Sequence, residues 1–146
     1  MHFYFIESRL PSAEVISLLS KRKGPALALK PEIACVKEFI IFTHAASYKA
    51  FLCGTNRARD FGVEWLARLA CTTNLKAARK RCQPNGSVAG IVSEHVISSG
   101  LLLRLGRPLA FERPPDFELR RMFSLPDVAY SVEDLLCEKS AVEFMG

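Results

Sequence analysis

No short catalytic motif occurs in this chain of 146 residues. There is no GxGxxG or GxxxxGKS/T phosphate loop, no HExxH helix and no GxSxG nucleophile elbow. Histidine is scarce, and His2, His44 and His95 are scattered. His44 falls in an apolar helical run and reads as a packed core residue. On a strand, His95 and its neighbour Glu94 would point to opposite faces, poor geometry for an acid–base pair. Five cysteines make an odd number with no CxxC spacing, which argues against a disulfide framework and a local zinc site. They read as reduced thiols, the habit of an intracellular, cytoplasmic protein. The first residues lack the basic start and cleavage site of a secretory leader. The most apolar late run, Val96 to Phe111, is broken by Arg104, Arg107 and Pro108 and is too short to span a bilayer. Neither a membrane partner nor a cofactor is expected, and no catalytic residue is assigned.

Charge is unevenly placed. Between Arg57 and Arg81 lie seven basic residues and two acids, so this stretch alone carries the formal net charge of +5. The remainder is neutral. A neutral body with one cationic segment suits an anionic partner, most often nucleic acid. Phosphates are held by Lys and Arg charges, by guanidinium forks and by free N–H groups at helix starts. The candidate nucleic-acid contacts are Arg57, Arg59, Lys76, Arg79, Lys80 and Arg81. Tyr48 and Arg57 are candidate planes for stacking an unpaired base. A solvated helical face is the plain alternative for the same charges.

Hydrophobic periodicity predicts an opening strand over His2–Glu7, a helix from Pro11 to Lys21 and a strand over Ala26–Leu29 closed by Pro31. Val36 to Cys53 is almost continuously apolar and reads as a core helix covered on most sides, with Gly54 as its C-cap. A helix over Arg59–Thr72 puts Phe61, Trp65, Leu66 and Leu69 inward and Asp60, Glu64 and Arg68 on the other face. Asn74 opens a helix over Leu75–Cys82 with Leu75, Ala78 and Cys82 inward. Ser87–Ile97, Leu101–Leu105 and Leu109–Glu112 read as strands. Asp116 caps a helix through Phe123, Ser131 caps one through Leu136, and Ala141–Met145 reads as a last strand. The fold class expected is α+β, a small, mostly antiparallel sheet packed against a layer of central helices, in a single domain over residues 1–146.

The central helices also carry a resemblance. Phe39-Ile40-Ile41-Phe42, Ser47-Tyr48-Lys49-Ala50-Phe51, Val63 to Ala70 and Asn74-Leu75-Lys76-Ala77-Ala78 follow one another in a pattern similar to the PRPK-binding protein (TPRKB) family, the small accessory subunit of the KEOPS complex. The similarity covers about fifty residues, with the closing segment Leu135–Met145 resembling the family's final helix and strand. Phe39 stands where the family has a histidine, Thr43 where it has an alanine, and Cys71-Thr72-Thr73-Asn74 replaces its glycine-bearing turn. The resemblance implies a mixed α/β fold with no enzymatic activity. It implies binding to tRNA, notably the 3′ single-stranded end, and to the small atypical kinase/ATPase of KEOPS, and through that an indirect link to the threonylcarbamoyl transferase subunit. The complex makes threonylcarbamoyl-adenosine on tRNA.

The mixed apolar and acidic segment Val132–Met145, with Val132, Leu135, Leu136 and Phe144, is expected to form part of the partner-binding surface. Two alternatives stand beside this reading. One is a protein-interaction module that binds and regulates the kinase without touching nucleic acid. The other is a metal-dependent hydrolase or nuclease using Glu112 and Asp116, with Glu118 nearby.

Overall fold

The computed structural model describes residues 1–145. Its fold is α+β, with eight helices and one four-stranded antiparallel sheet among the described residues. Two compact units are each assembled from two stretches of chain.

The first unit takes Met1–Cys35 and Cys82–Glu112. Its strands are β1 (His2–Ser8), β2 (Ala26–Leu29), β3 (Val88–Ser93) and β4 (Gly106–Pro108), in the order β2-β3-β1-β4. β1 pairs with β3 in the register Tyr4 to Ile91 and Ile6 to Ala89. β2 pairs with the other side of β3, Ala28 to Ile91. Apolar side chains at alternate positions share one face, so Ile6, Ala28, Ala89 and Ile91 line a common core. Helix α1 (Ser12–Ser20) adds Val15 and Leu19 to it, and α6 (Ser99–Leu105) adds Leu105. A one-turn helix, α2 (Pro31–Ala34), starts on a proline at its first position and lies against β3. Gly90 permits that approach: a Cβ there would stand 2.2 Å from the Ala34 Cβ.

The second unit takes Val36–Arg81 and Arg113–Gly146. It holds α3 (Lys37–Cys53), α4 (Phe61–Leu69), all but the last residue of α5 (Leu75–Cys82), α7 (Asp116–Phe123) and α8 (Val132–Glu143). Phe39 meets the edge of Phe123 with centroids 6.3 Å apart. Trp65 is fully buried and satisfies its indole N–H on Thr43 Oγ1 at 3.2 Å. His44 stands edge-on to Trp65 at 4.9 Å and Phe61 at 5.3 Å, as a packed histidine should. Gly54 ends α3 in the left-handed conformation, at φ 67°.

Several expectations are overturned. Leu101–Leu105 is helix, because Ser98 caps it by accepting the Leu101 N–H at 3.3 Å. Leu109–Glu112 is not strand; the preceding Gly106–Pro108 forms the pairing with β1 instead. β3 stops at Ser93, short of Ile97. Asp116 is the first helical residue of α7 rather than its cap. Ser131 does cap α8, but α8 continues to Glu143, so no strand forms over Ala141–Met145. Leu75 is exposed, while Ala78 and Cys82 turn inward as expected. The expected outward face of α4 is also corrected: Glu64 is fully buried.

Candidate nucleic-acid interface

The basic segment is organised by that buried carboxylate. Asp60 caps α4, accepting the Val63 N–H at 3.0 Å, and Glu64 follows one turn into the helix. Glu64 Oε2 accepts the backbone N–H groups of Arg57 and Ala58, both at 2.9 Å. Its Oε1 accepts from Arg68 Nη2 at 2.8 Å and Nε at 3.0 Å. A buried acid must meet donors, and Glu64 meets them in the preceding loop and on its own helix, which pins the Arg57 backbone while the Arg57 guanidinium stays exposed.

The end of α8 draws the two ends of the segment together. Arg68 Cζ lies 4.3 Å and Arg57 Cζ 5.4 Å from the centroid of the Phe144 ring. A guanidinium over an aromatic ring is favourable, and both guanidinium groups sit by the negative C-terminal end of α8. One residue earlier, Glu143 Oε1 accepts from Thr73 N at 3.2 Å and Thr73 Oγ1 at 3.4 Å. Thr73 leads into α5, whose start is capped by Asn74 Oδ1 accepting the Ala77 N–H at 3.1 Å. Lys76, Arg79 and Lys80 are exposed on α5 and fall within an arc of about 100° on a 3.6-residue helix. Ala78 and Cys82 occupy the opposite, buried side.

Of the six sequence-selected cations, Arg57, Arg59, Lys76, Arg79 and Lys80 are exposed. Arg81 is half-buried and donates through Nη1 to the Ala70 carbonyl, so it braces the turn before α5. Since Glu64 is buried and neutralised by Arg68, Asp60 is the one exposed acid between residues 57 and 81. The ring beside Arg57 is Phe144 rather than Tyr48, which lies exposed on α3.

The expected partner surface is largely core. Val132 and Leu136 are fully buried and Leu135 is nearly so, which leaves Phe144 as the half-exposed member of that group. Asp116 faces Arg113, which is also paired with Glu133. No group of three His, Cys, Asp or Glu side chains is placed to hold a metal ion among the described residues. Burial pushes the Cys71 thiol up to about 12 and the Cys137 thiol up to about 11, so both stay protonated and poorly nucleophilic at neutral pH.

No family model and no curated protein matches this chain. No helix among the described residues is long and apolar enough to cross a membrane. The geometry offers five exposed cations, three of them on one side of α5, with an aromatic ring next to the Arg57 guanidinium. Such cations and such a ring suit a phosphate backbone with an unpaired base.

Proposed function

We propose that this chain is a non-catalytic, tRNA-binding subunit of a KEOPS-type tRNA-modifying assembly, working in the cytoplasm with the small kinase/ATPase and, through it, the threonylcarbamoyl transferase. The observation that carries the reading is the set of exposed cations Arg57, Arg59, Lys76, Arg79 and Lys80, with Arg57 lying over the half-exposed Phe144 ring. Its ligand is a phosphate backbone with a single-stranded end, held by point charges and by stacking against Phe144 and Arg57. The helix pattern over Phe39–Ala78, which resembles the PRPK-binding protein family, supports the choice of tRNA among nucleic acids.

The test compares full-length tRNA with the same tRNA trimmed of its 3′ single-stranded end, at low and moderate salt. Binding that is salt-sensitive and lost on trimming is expected. Equal, weak binding to both would refute the assignment. A kinase-binding module that never contacts RNA is favoured by one feature, the exposed apolar side chains along α3. Co-purification with the kinase and no salt-sensitive tRNA shift would select it.

A further inference from the structure

α3 breaks the rule for a surface helix. Phe39, Ile40, Thr43, Ser47 and Ala50 form its buried side. The opposite side should then be polar. Instead its centre is Ile41, Ala45, Tyr48 and Leu52, spaced by four, three and four residues. Ile41 is 50% exposed, Tyr48 57% and Leu52 72%, with Phe42 beside them at 38%. Steps of three and four are those of a seam that packs against another helix.

We propose that α3 pairs antiparallel with α3 of a second copy of this chain. The seam is self-complementary about a two-fold axis passing at the level of Ala46 and Ser47. Ile41 meets Leu52 of the second copy, and the small Ala45 meets the large Tyr48. Phe42 and Lys49 flank the seam on one side, so each Lys49 lies along Phe42 of the other copy, stem and ammonium against a ring. A parallel pair would set Tyr48 on Tyr48 and Ala45 on Ala45, combining crowding with a void, and would separate Lys49 from Phe42 of the other copy. The 17 residues of α3 span about 25 Å. A contact of that length buries on the order of 1,000 Å² in total, at the low end for specific interfaces. The pairing is therefore weak and seen at micromolar concentrations and above. It does not depend on the RNA-binding reading.

Sedimentation equilibrium of the full chain, from low to several hundred micromolar, tests this. A monomer–dimer equilibrium is expected, and Leu52→Glu should weaken it at least tenfold with an unchanged circular dichroism spectrum, since Leu52 is the most exposed of the large side chains of the seam. Ala45→Cys, close to the two-fold axis, should form a disulfide-linked dimer under mild oxidation. The natural exposed Cys53 should not, since two copies of it would be about 20 Å apart along the helix axis. A wild-type chain that stays monomeric throughout overturns the pairing and leaves this face to a different protein. A dimer indifferent to Leu52→Glu, or one linked through Cys53, overturns it as well.

Discussion

Glu64→Gln removes a negative charge from the helix beside the cationic surface, so Coulomb's law alone expects RNA to bind more tightly. The geometry expects the reverse. The carboxylate accepts from the Arg57 and Ala58 N–H groups with one oxygen and from Arg68 with the other. A glutamine has one acceptor and one donor end, so either orientation sets donor against donor. Hydrogen bonds to charged groups contribute about 1.5–3 kcal/mol each, and breaking a buried pair costs about 3–5 kcal/mol. Arg68 keeps some contact with solvent, its side chain being 11% exposed, so the low end applies, about 3 kcal/mol. In a chain of this length that lowers the melting temperature by about 10 °C. The freed Arg57 loop should also weaken tRNA binding below the unfolding temperature. Asp60→Asn is the matched control: it removes the same charge from an exposed site and keeps a capping side chain, so it should leave stability near wild type and tighten binding slightly. Thermal melts and a tRNA titration read both effects. A Glu64→Gln protein that melts within about 2 °C of wild type, or binds tRNA more tightly, would refute the anchoring argument.

Three further outcomes follow from particular contacts. Replacing Lys76, Arg79 and Lys80 together by Gln should lower the slope of log affinity against log salt by about 2 to 3, whereas Arg81→Gln should lower the melting temperature and leave the slope alone; an unchanged slope in the triple variant removes α5 from the interface. Gly90→Ala should cost about 1–3 kcal/mol through its clash with Ala34, and adding Ala34→Gly should restore much of the loss in a denaturant titration. The Arg113 side chain hydrogen-bonds Glu133 and holds its carboxyl below the ordinary glutamate range. That contribution is complete above the usual glutamate value and fades as pH falls through the depressed one. Melting curves of wild type and Glu133→Gln should therefore converge in acid and separate toward neutrality; parallel curves would exclude the pair as a source of acid sensitivity.

The elements with strong local signals were legible in the sequence. β2 and α5 fall where their patterns put them, and Gly54, Asn74 and Ser131 cap as their residue types suggest. The errors share a cause. Leu101-Leu102-Leu103 and Ala141–Met145 are short apolar runs, for which periodicity cannot separate strand from helix; the Ser98 cap was the overlooked signal. At the interface, the cations were visible as composition, but their support was not. The helical spacing put Glu64 and Arg68 on one face of α4 but assigned that face to solvent, whereas Glu64 is buried. Phe144 reaches Arg57 across more than half the chain, a contact that no local pattern encodes. Arg81 looked like its neighbours in charge and differs from them by one hydrogen bond to Ala70.

The strand order has a consequence for synthesis. β1 and β2 are made early but never pair with each other; both lie against β3. β3 leaves the ribosome only after α3, α4 and α5 have been made. Throughout that interval two apolar strands carry unpaired backbone edges, the state most open to wrong partners. The translation of Val88–Ser93 is thus the commitment point for the sheet. A nascent chain stalled before it presents sticky ribbons to the quality-control machinery, while one stalled after it has within reach the partner that both strands share.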